Sequence, residues 1–230
     1  MCSFVTDAAF IAPQIVGFRV VVLQMTRTSA TVYVVDDDAS HLVALSRLLR
    51  ASGHSVKTFS SSSEFLQNLP ALQSGCVVAD LQMPGLSGLG LQAALARSRN
   101  PLPILFLTGH GDIPTSVQAM RQGAEDFLTK TAPKRELLHA VERALARAAR
   151  ERSARARRED LRRRFDALSG RESEVLHHVL RGQLNKQIAA DLAIHERTVK
   201  LHRTAIMGKL DVHSVAELTK LWIEAGNAMP

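Results

Sequence analysis

Between residues 31 and 130, five short apolar runs alternate with amphipathic stretches. The runs are Thr31–Val35, Val56–Phe59, Cys76–Ala79, Ile104–Leu107 and Asp126–Thr129. Helical spacing appears around Leu42–Ala51, Ser63–Leu69, Leu89–Arg97 and Ser116–Arg121. Short apolar runs separated by helices are the signature of a parallel sheet covered on both faces. The expected fold is therefore α/β, a flavodoxin-like (βα)5 unit. Gly53 and Gly123 fall where left-handed caps end helices. The fifth run leads into Arg135–Ala149, where Leu138, Val141 and Leu145 recur at helical spacing.

Ligands of such folds bind beyond the carboxyl ends of the strands. The first strand ends in Asp36, Asp37 and Asp38, the third in Asp80, the fourth in Thr108 and the fifth in Lys130. In the strand order 2-1-3-4-5 these four strands are neighbours, so their tips converge. Clustered carboxylates repel one another unless a cation sits among them. Hard oxygen donors suit Mg²⁺, and a carboxylate is a competent acceptor of a phosphoryl group. A nearby hydroxyl and ammonium would bind the remaining phosphoryl oxygens.

The strings VYVVDDD, VVADLQMPGLSGLGL, ILFLTGHGDIPTSVQAM and GAEDFLTK resemble the receiver domain of two-component response regulators. LTGHGD is most similar to the FixJ-type subgroup. The resemblance implies that Asp80 is the phospho-acceptor, that Asp36 and Asp37 are the paired acids, and that Asp37 ligates Mg²⁺ directly. It adds the backbone carbonyl of Gln82 as a further ligand, Thr108 as the switch hydroxyl, Lys130 as the phosphate-binding lysine and Phe127 as the switch aromatic. One departure stands out. Receivers usually follow this lysine with a cis-proline, whereas here the run is Lys130–Thr131–Ala132–Pro133. A non-proline cis bond costs about 3 kcal/mol. Either the loop is trans and Lys130 sits differently, or it is strained. Gly85, where the family often has Asp, is a minor change.

Charge divides the chain further. Residues 1–133 and 166–230 are each neutral, with 9 basic and 9 acidic groups and with 8 and 8. Residues 134–164 hold 12 basic and 5 acidic groups, which accounts for the whole net charge of +7. The core of that stretch, Ala144 to Arg164, has neither Gly nor Pro and is rich in helix formers. It reads as a solvated helical linker that also has the charge to touch phosphates.

Beyond it, Gly170–Arg181, Lys186–Leu192, Glu196–Leu210 and Val215–Ala225 read as short helices, giving an all-α four-helix unit. Ser169 and Glu172 fit a capping box, and Asn185 is a candidate N-cap. The stretch 185–210 has helix-turn-helix spacing: Ala189 allows close crossing, Ala193–His195 form the turn, and Val199, Ile206 and Leu210 anchor the next helix. The opposite face carries Arg197, Lys200, Arg203 and Thr204, which suits a DNA major groove. The string LSGRESEVLHHVLRGQLNKQIAADLAIHERTVKLHRTAIMGKLDVHSVAEL strongly resembles the LuxR-type DNA-binding domain. That resemblance implies DNA contacts from Lys200, His202 and Arg203, with Asn185 and Lys186 near the backbone. Arg197 and Thr198 complete the candidate set, and the last helix, around Val215 to Trp222, is expected to pair two copies. His195 in place of a Ser or Thr cap weakens the recognition helix by about 1 kcal/mol. Gly208 within it costs about as much again relative to Ala. Asp211, in place of a common Gly, tolerates a left-handed turn.

Two cysteines, Cys2 and Cys76, exclude a disulfide framework or a zinc site, and Cys76 reads as core filler. Aromatic content of 4% argues against a single-strand stacking platform. Adjacent His177 and His178 point in different directions, and His110 is expected only to shape the loop after Thr108. With so few cysteines a reducing cytoplasm is the expected setting, and since no apolar run is long enough to span a membrane, no membrane partner is expected.

The expected organisation is an N-terminal extension outside the fold (1–29), a receiver domain (30–149), a basic helical linker (150–165) and a helix-turn-helix domain (166–230). The expected function is that of a response regulator. A sensor histidine kinase phosphorylates Asp80 with Mg²⁺, and the chain then forms a homodimer, binds double-stranded promoter DNA, changes transcription and has RNA polymerase as a further partner. It is expected to be no enzyme beyond Mg²⁺-dependent autophosphorylation and slow self-dephosphorylation. The rivals are a phosphorylation-independent or protein-binding regulator with a degenerate receiver, and an aspartyl-phosphate phosphatase starting from the D-x-D of Asp36 and Asp38.

Overall fold

The computed structural model describes residues 30–68, 74–98, 101–109 and 113–230. The expected extension 1–29, the end of the Ser63–Leu69 helix at Leu69, and His110 lie outside these described residues. The first unit contains β1 (Thr31–Val35), α1 (Ala39–Ala51), β2 (Ser55–Phe59), α2 (Ser62–Gln67), β3 (Gly75–Ala79), α3 (Gly88–Ala96), β4 (Ile104–Thr108), α4 (Ile113–Arg121) and β5 (Asp126–Thr129). Its strands are all parallel, in the order β2-β1-β3-β4-β5.

Period-2 alternation sends the strand residues to two cores. Val32, Val34, Cys76, Val78, Leu105 and Leu107 pack with Leu45 and Leu49 of α1 on one face. Tyr33, Val35, Val77, Ala79, Ile104 and Phe106 pack with Phe65, Leu91, Leu95 and Ala119 on the other. Because both faces are covered, β1, β3 and β4 are buried along their whole length. Gly53 and Gly123 follow α1 and α4 with φ of +87° and +88°, the left-handed geometry expected of them. Cys76 is fully buried, and burial pushes its thiol up to about 12.

The helix after β5, α5 (Lys134–Asp166), runs unbroken for 33 residues. Its apolar stripe is wider than Leu138, Val141 and Leu145. Leu137, Ala140, Val141 and Ala144 are buried against the sheet, while Leu138 and Leu145 are only partly covered. Small alanines let the helix lie close, so they make contacts that a count of large side chains overlooks.

The 150–165 segment is the distal half of α5, and its end enters a third core. Leu161 and Phe165 are buried together with Val175, Leu176, Ile188, Val199, Ile206, Leu210 and Leu218. These come from α6 (Gly170–Leu180), α7 (Asn185–Asp191), α8 (Glu196–Leu210) and α9 (Val215–Glu224). Phe165 and His177 both meet Trp222 edge to face, at 5.1 and 5.5 Å between ring centroids. His178 turns instead to Gln183 and Asp191, so the two adjacent histidines diverge.

The Ser169–Glu172 capping box forms. Asn185, expected as a cap, is instead the first residue of α7. The cap position is Leu184, whose N–H donates to Gln187 Oε1 at 2.8 Å. This glutamine supplies the acceptor and leaves the Asn185 side chain free for another partner. The turn before α8 places Ala193 at φ +50°, and Asp211 ends α8 at φ +54°. His195 caps α8 without a side-chain hydrogen bond.

Candidate functional site

Four strand tips build one site. Asp36 and Asp37 follow β1, Asp80 follows β3, Thr108 ends β4 and Lys130 follows β5. Main-chain bonds fix these tips: the Asp80 N–H donates to the Val35 carbonyl at 2.8 Å, and the Lys130 N–H to the Thr108 carbonyl at 2.7 Å. Behind the site α3 begins at Gly88, where a Cβ would lie 2.4 Å from the Asp80 carbonyl oxygen. Only glycine permits that approach.

Carboxylate oxygens of Asp36, Asp37 and Asp80 lie within 4.8 Å of one another. Asp36 and Asp80 are buried and Asp37 is exposed. Lys130 Nζ bridges the two buried ones, 2.8 Å from Asp36 Oδ2 and 3.0 Å from Asp80 Oδ2. The Leu81 N–H donates to Asp80 Oδ1 at 2.7 Å. Burial alone would raise the Asp36 carboxyl, but hydrogen bonds from His41 and Lys130 hold it below its ordinary value. Burial works against the Lys130 ammonium, and its bonds to Asp36 and Asp80 outweigh that, raising it. Three carboxylates and one ammonium leave a net negative, hard-oxygen site that could hold a divalent metal ion.

The strand-tip residues therefore converge. Gln82 lies two residues past Asp80 in the β3–α3 loop, with an exposed side chain. Thr108 is buried, and Phe127 is half-buried with its ring 6.2 Å from that of Phe106. No peptide bond is cis among the described residues, yet Lys130 still reaches both carboxylates. Its placement does not need the missing proline. Asp38 leaves the acidic cluster and caps α1, accepting from the Ser40 and His41 N–H groups.

Sequence reasoning missed His41. Its Nδ1 lies 2.5 Å from Asp36 Oδ2. The available signal was helical phase: with Asp38 as N-cap, a side chain three residues on points back over the strand tip.

In the second unit, α7 and α8 form the helix-turn-helix pair. The buried side of α8 is Val199, Ile206 and Leu210. Arg197, Lys200, Leu201 and Thr204 are exposed on its other side, and His202 and Thr198 are half-buried on its flanks. Arg203 Nη1 donates to Asn185 Oδ1 at 3.1 Å, tying the two helices together. The Thr204 hydroxyl donates to the Lys200 carbonyl, and Lys200 pairs with Glu196 at 3.4 Å. Lys186 is exposed at the start of α7. Leu201, 64% exposed at the centre of this face, was not anticipated. The arginine-rich end of α5 packs through Leu161 and Phe165 on the core side of α8, behind this face.

The response regulator receiver domain family matches residues 32–142, and the luxR family of bacterial regulatory proteins matches residues 166–222. Response regulator protein TodT of Pseudomonas putida is 44% identical over 197 residues, covering 86% of this chain and 87% of TodT. Transcriptional regulatory protein FixJ of Bradyrhizobium diazoefficiens is 39% identical over 199 residues, covering 86% and 97%. The solved structure of response regulator StyR superposes with a TM-score of 0.75 at 47% identity, covering 85% of this chain and 99% of that one. Full-length FixJ from B. japonicum gives 0.53 at 38% identity, covering 86% and 97%. Among the described residues no helix is long and apolar enough to cross a membrane. With a carboxylate cluster at the tips of a parallel sheet and a helix-turn-helix pair in the helical unit that follows α5, the chain belongs to the response regulators that join a receiver domain to a LuxR-type DNA-binding domain.

Proposed function

We propose that Asp80 accepts a phosphoryl group from a sensor histidine kinase and that this controls transcription. The observation that carries the reading is the Lys130 ammonium 3.0 Å from Asp80 Oδ2, inside a three-carboxylate cluster. Asp36, Asp37, Asp80 and the main-chain carbonyl of Gln82 are the groups that would hold Mg²⁺. When bound, the ion withdraws charge from the phosphoryl oxygens.

An Asp80 carboxylate oxygen attacks phosphorus in line. The phosphorus–nitrogen bond of the donor breaks, and its electron pair returns to the donor's imidazole. Lys130 and the Thr108 hydroxyl bind the phosphoryl oxygens. In slow self-dephosphorylation water attacks phosphorus, the bond between phosphorus and the Asp80 oxygen breaks, and its electron pair returns to the Asp80 carboxylate.

Phosphorylation draws Thr108 inward, and Phe127 follows, repacking against Phe106, which alters the surface from Ser116 to Ala149. That surface supports a homodimer, whose paired domains bind double-stranded promoter DNA through Arg197, Thr198, Lys200, His202 and Arg203. Asn185 and Lys186 lie near the phosphates. The division 30–149, 150–165 and 166–230 assigns these roles, with RNA polymerase as a downstream partner and the cytoplasm as the setting. Because Lys130 reaches Asp80 without the proline, the phosphorylation-independent alternative loses the feature that motivated it.

The test is labelling with acetyl phosphate and Mg²⁺. The chain takes up one phosphoryl group, Asp80→Asn takes up none, and labelling raises the dimer fraction. Equal labelling of the variant overturns the assignment.

A further inference from the structure

His41 belongs neither to the acidic cluster of Asp36, Asp37 and Asp80 nor to the family motifs. Asp36 is 2% exposed, and a carboxylate that deep must keep every oxygen satisfied. Oδ1 accepts from the Asp38 N–H at 2.9 Å. Oδ2 is shared between Lys130 Nζ at 2.8 Å and His41 Nδ1 at 2.5 Å. An ionised carboxylate only accepts, so His41 must carry its proton on Nδ1. The histidine is held at both ends: its main-chain N–H donates to the Asp38 cap at 3.2 Å while its ring reaches back to Asp36.

Lys130 is claimed by two carboxylates. To bind a phosphoryl group on Asp80, its ammonium must turn from Asp36. That leaves His41 Nδ1 as the side-chain donor still held on Asp36 Oδ2, and without it the departure of Lys130 would leave that buried oxygen without a hydrogen-bond donor, a costly state. We propose that His41 is a positioning residue for phosphorylation, holding Asp36 Oδ2 so that Lys130 is free to move onto the phosphoryl group. This rests on the reading of Asp80 as phospho-acceptor. It adds that the Asp36–His41 pair decides how readily Lys130 is released.

Two substitutions separate the donor from the bulk. His41→Leu keeps volume and removes the N–H. His41→Asn places an amide nitrogen near the position of Nδ1. The full chain is labelled with acetyl phosphate and Mg²⁺, and initial rates are measured across donor concentrations, with far-UV circular dichroism melts as the fold control. Expected results are a maximal rate about tenfold lower for His41→Leu, the loss of one charge-assisted hydrogen bond. The half-saturating donor concentration should be unchanged, and the rate should be substantially restored in His41→Asn. Wild-type rates in His41→Leu, or equal losses in both variants, overturn the role of His41 and leave Asp80 standing. Absence of labelling in the wild-type chain overturns the Asp80 reading itself, and the His41 proposal with it.

Discussion

Lys130 bonds Asp80 across fifty residues of sequence, Nζ to Oδ2 at 3.0 Å, and holds Asp36 with the same ammonium. Removing that ammonium leaves two buried carboxylates facing each other. Lys130→Met is expected to label on Asp80 at least tenfold more slowly, as loss of a group that stabilises developing charge should. It should also lower stability by about 3 kcal/mol in metal-free buffer, the low end for loss of one partner of a buried ion pair. Urea midpoints with and without Mg²⁺ check the second point, because a divalent cation should restore part of the loss.

The acidic cluster makes metal binding measurable without any phosphoryl donor. Mg²⁺ at ten times its Kd is expected to stabilise the receiver by about 1.4 kcal/mol, and chelation should reverse this. Asp37→Asn removes an exposed carboxylate of the cluster and should abolish the effect. A Mg²⁺-independent melt of the wild-type chain would show that the cluster binds no ion.

Glu172 sets an acid limit on the second domain. Its carboxylate takes a hydrogen bond from Lys209 Nζ at 2.7 Å and one from the Ser169 N–H at 2.7 Å. These hold it near 2, against an ordinary 4.5. A group depressed by folding contributes stability above its unfolded value and loses it as pH falls toward its folded value. The domain should therefore weaken from about pH 4.5 down to about 2. Trp222 is the sole tryptophan and reports this domain alone. In Lys209→Met the decline should be shallower, and parallel curves for the two proteins would assign the acid sensitivity to other carboxylates.

Ala193 occupies the left-handed region at φ +50° in the turn between α7 and α8. An L-residue pays roughly 1 kcal/mol there, which glycine avoids. Ala193→Gly is expected to raise the stability of the second domain by up to about 1 kcal/mol, less the entropy that glycine adds to the unfolded chain. Denaturation followed by Trp222 fluorescence measures it.

Lys200 is 64% exposed on the open face of α8. As a phosphate contact it should release about one counterion, so Lys200→Ala should weaken DNA binding and reduce the salt slope by about one unit. An unchanged slope on a footprinted promoter fragment would place Lys200 off the DNA. The excess positive charge of α5 is a different matter, because its distal end backs the core side of α8.

The central strands β1, β3 and β4 were readable because strands buried on both faces need continuous apolar runs, and two of the five bounds, Thr31–Val35 and Asp126–Thr129, agree with the structure at both ends. The tips of those strands carried the acids, the hydroxyl and the lysine, so the site was legible from topology. What stayed hidden depended on side chains meeting out of sequence. Residue type makes Asn185 a cap candidate, yet Leu184 holds the cap position with its N–H bonded to Gln187, and Asn185 holds Arg203. His41 carried no local pattern, and it matters because one helical turn brings its ring to Asp36.

The sequence by itself determined the parallel five-strand layout, the acidic strand tips and the helix-turn-helix spacing, since hydrophobic period and strand-end chemistry are local properties. Only the tertiary structure decided that Lys130 serves two carboxylates at once and that His41 shares one of them. It also decided that a charged linker ends as core, with Leu161 and Phe165 buried. These depend on distances between elements, which the order of residues along the chain does not specify.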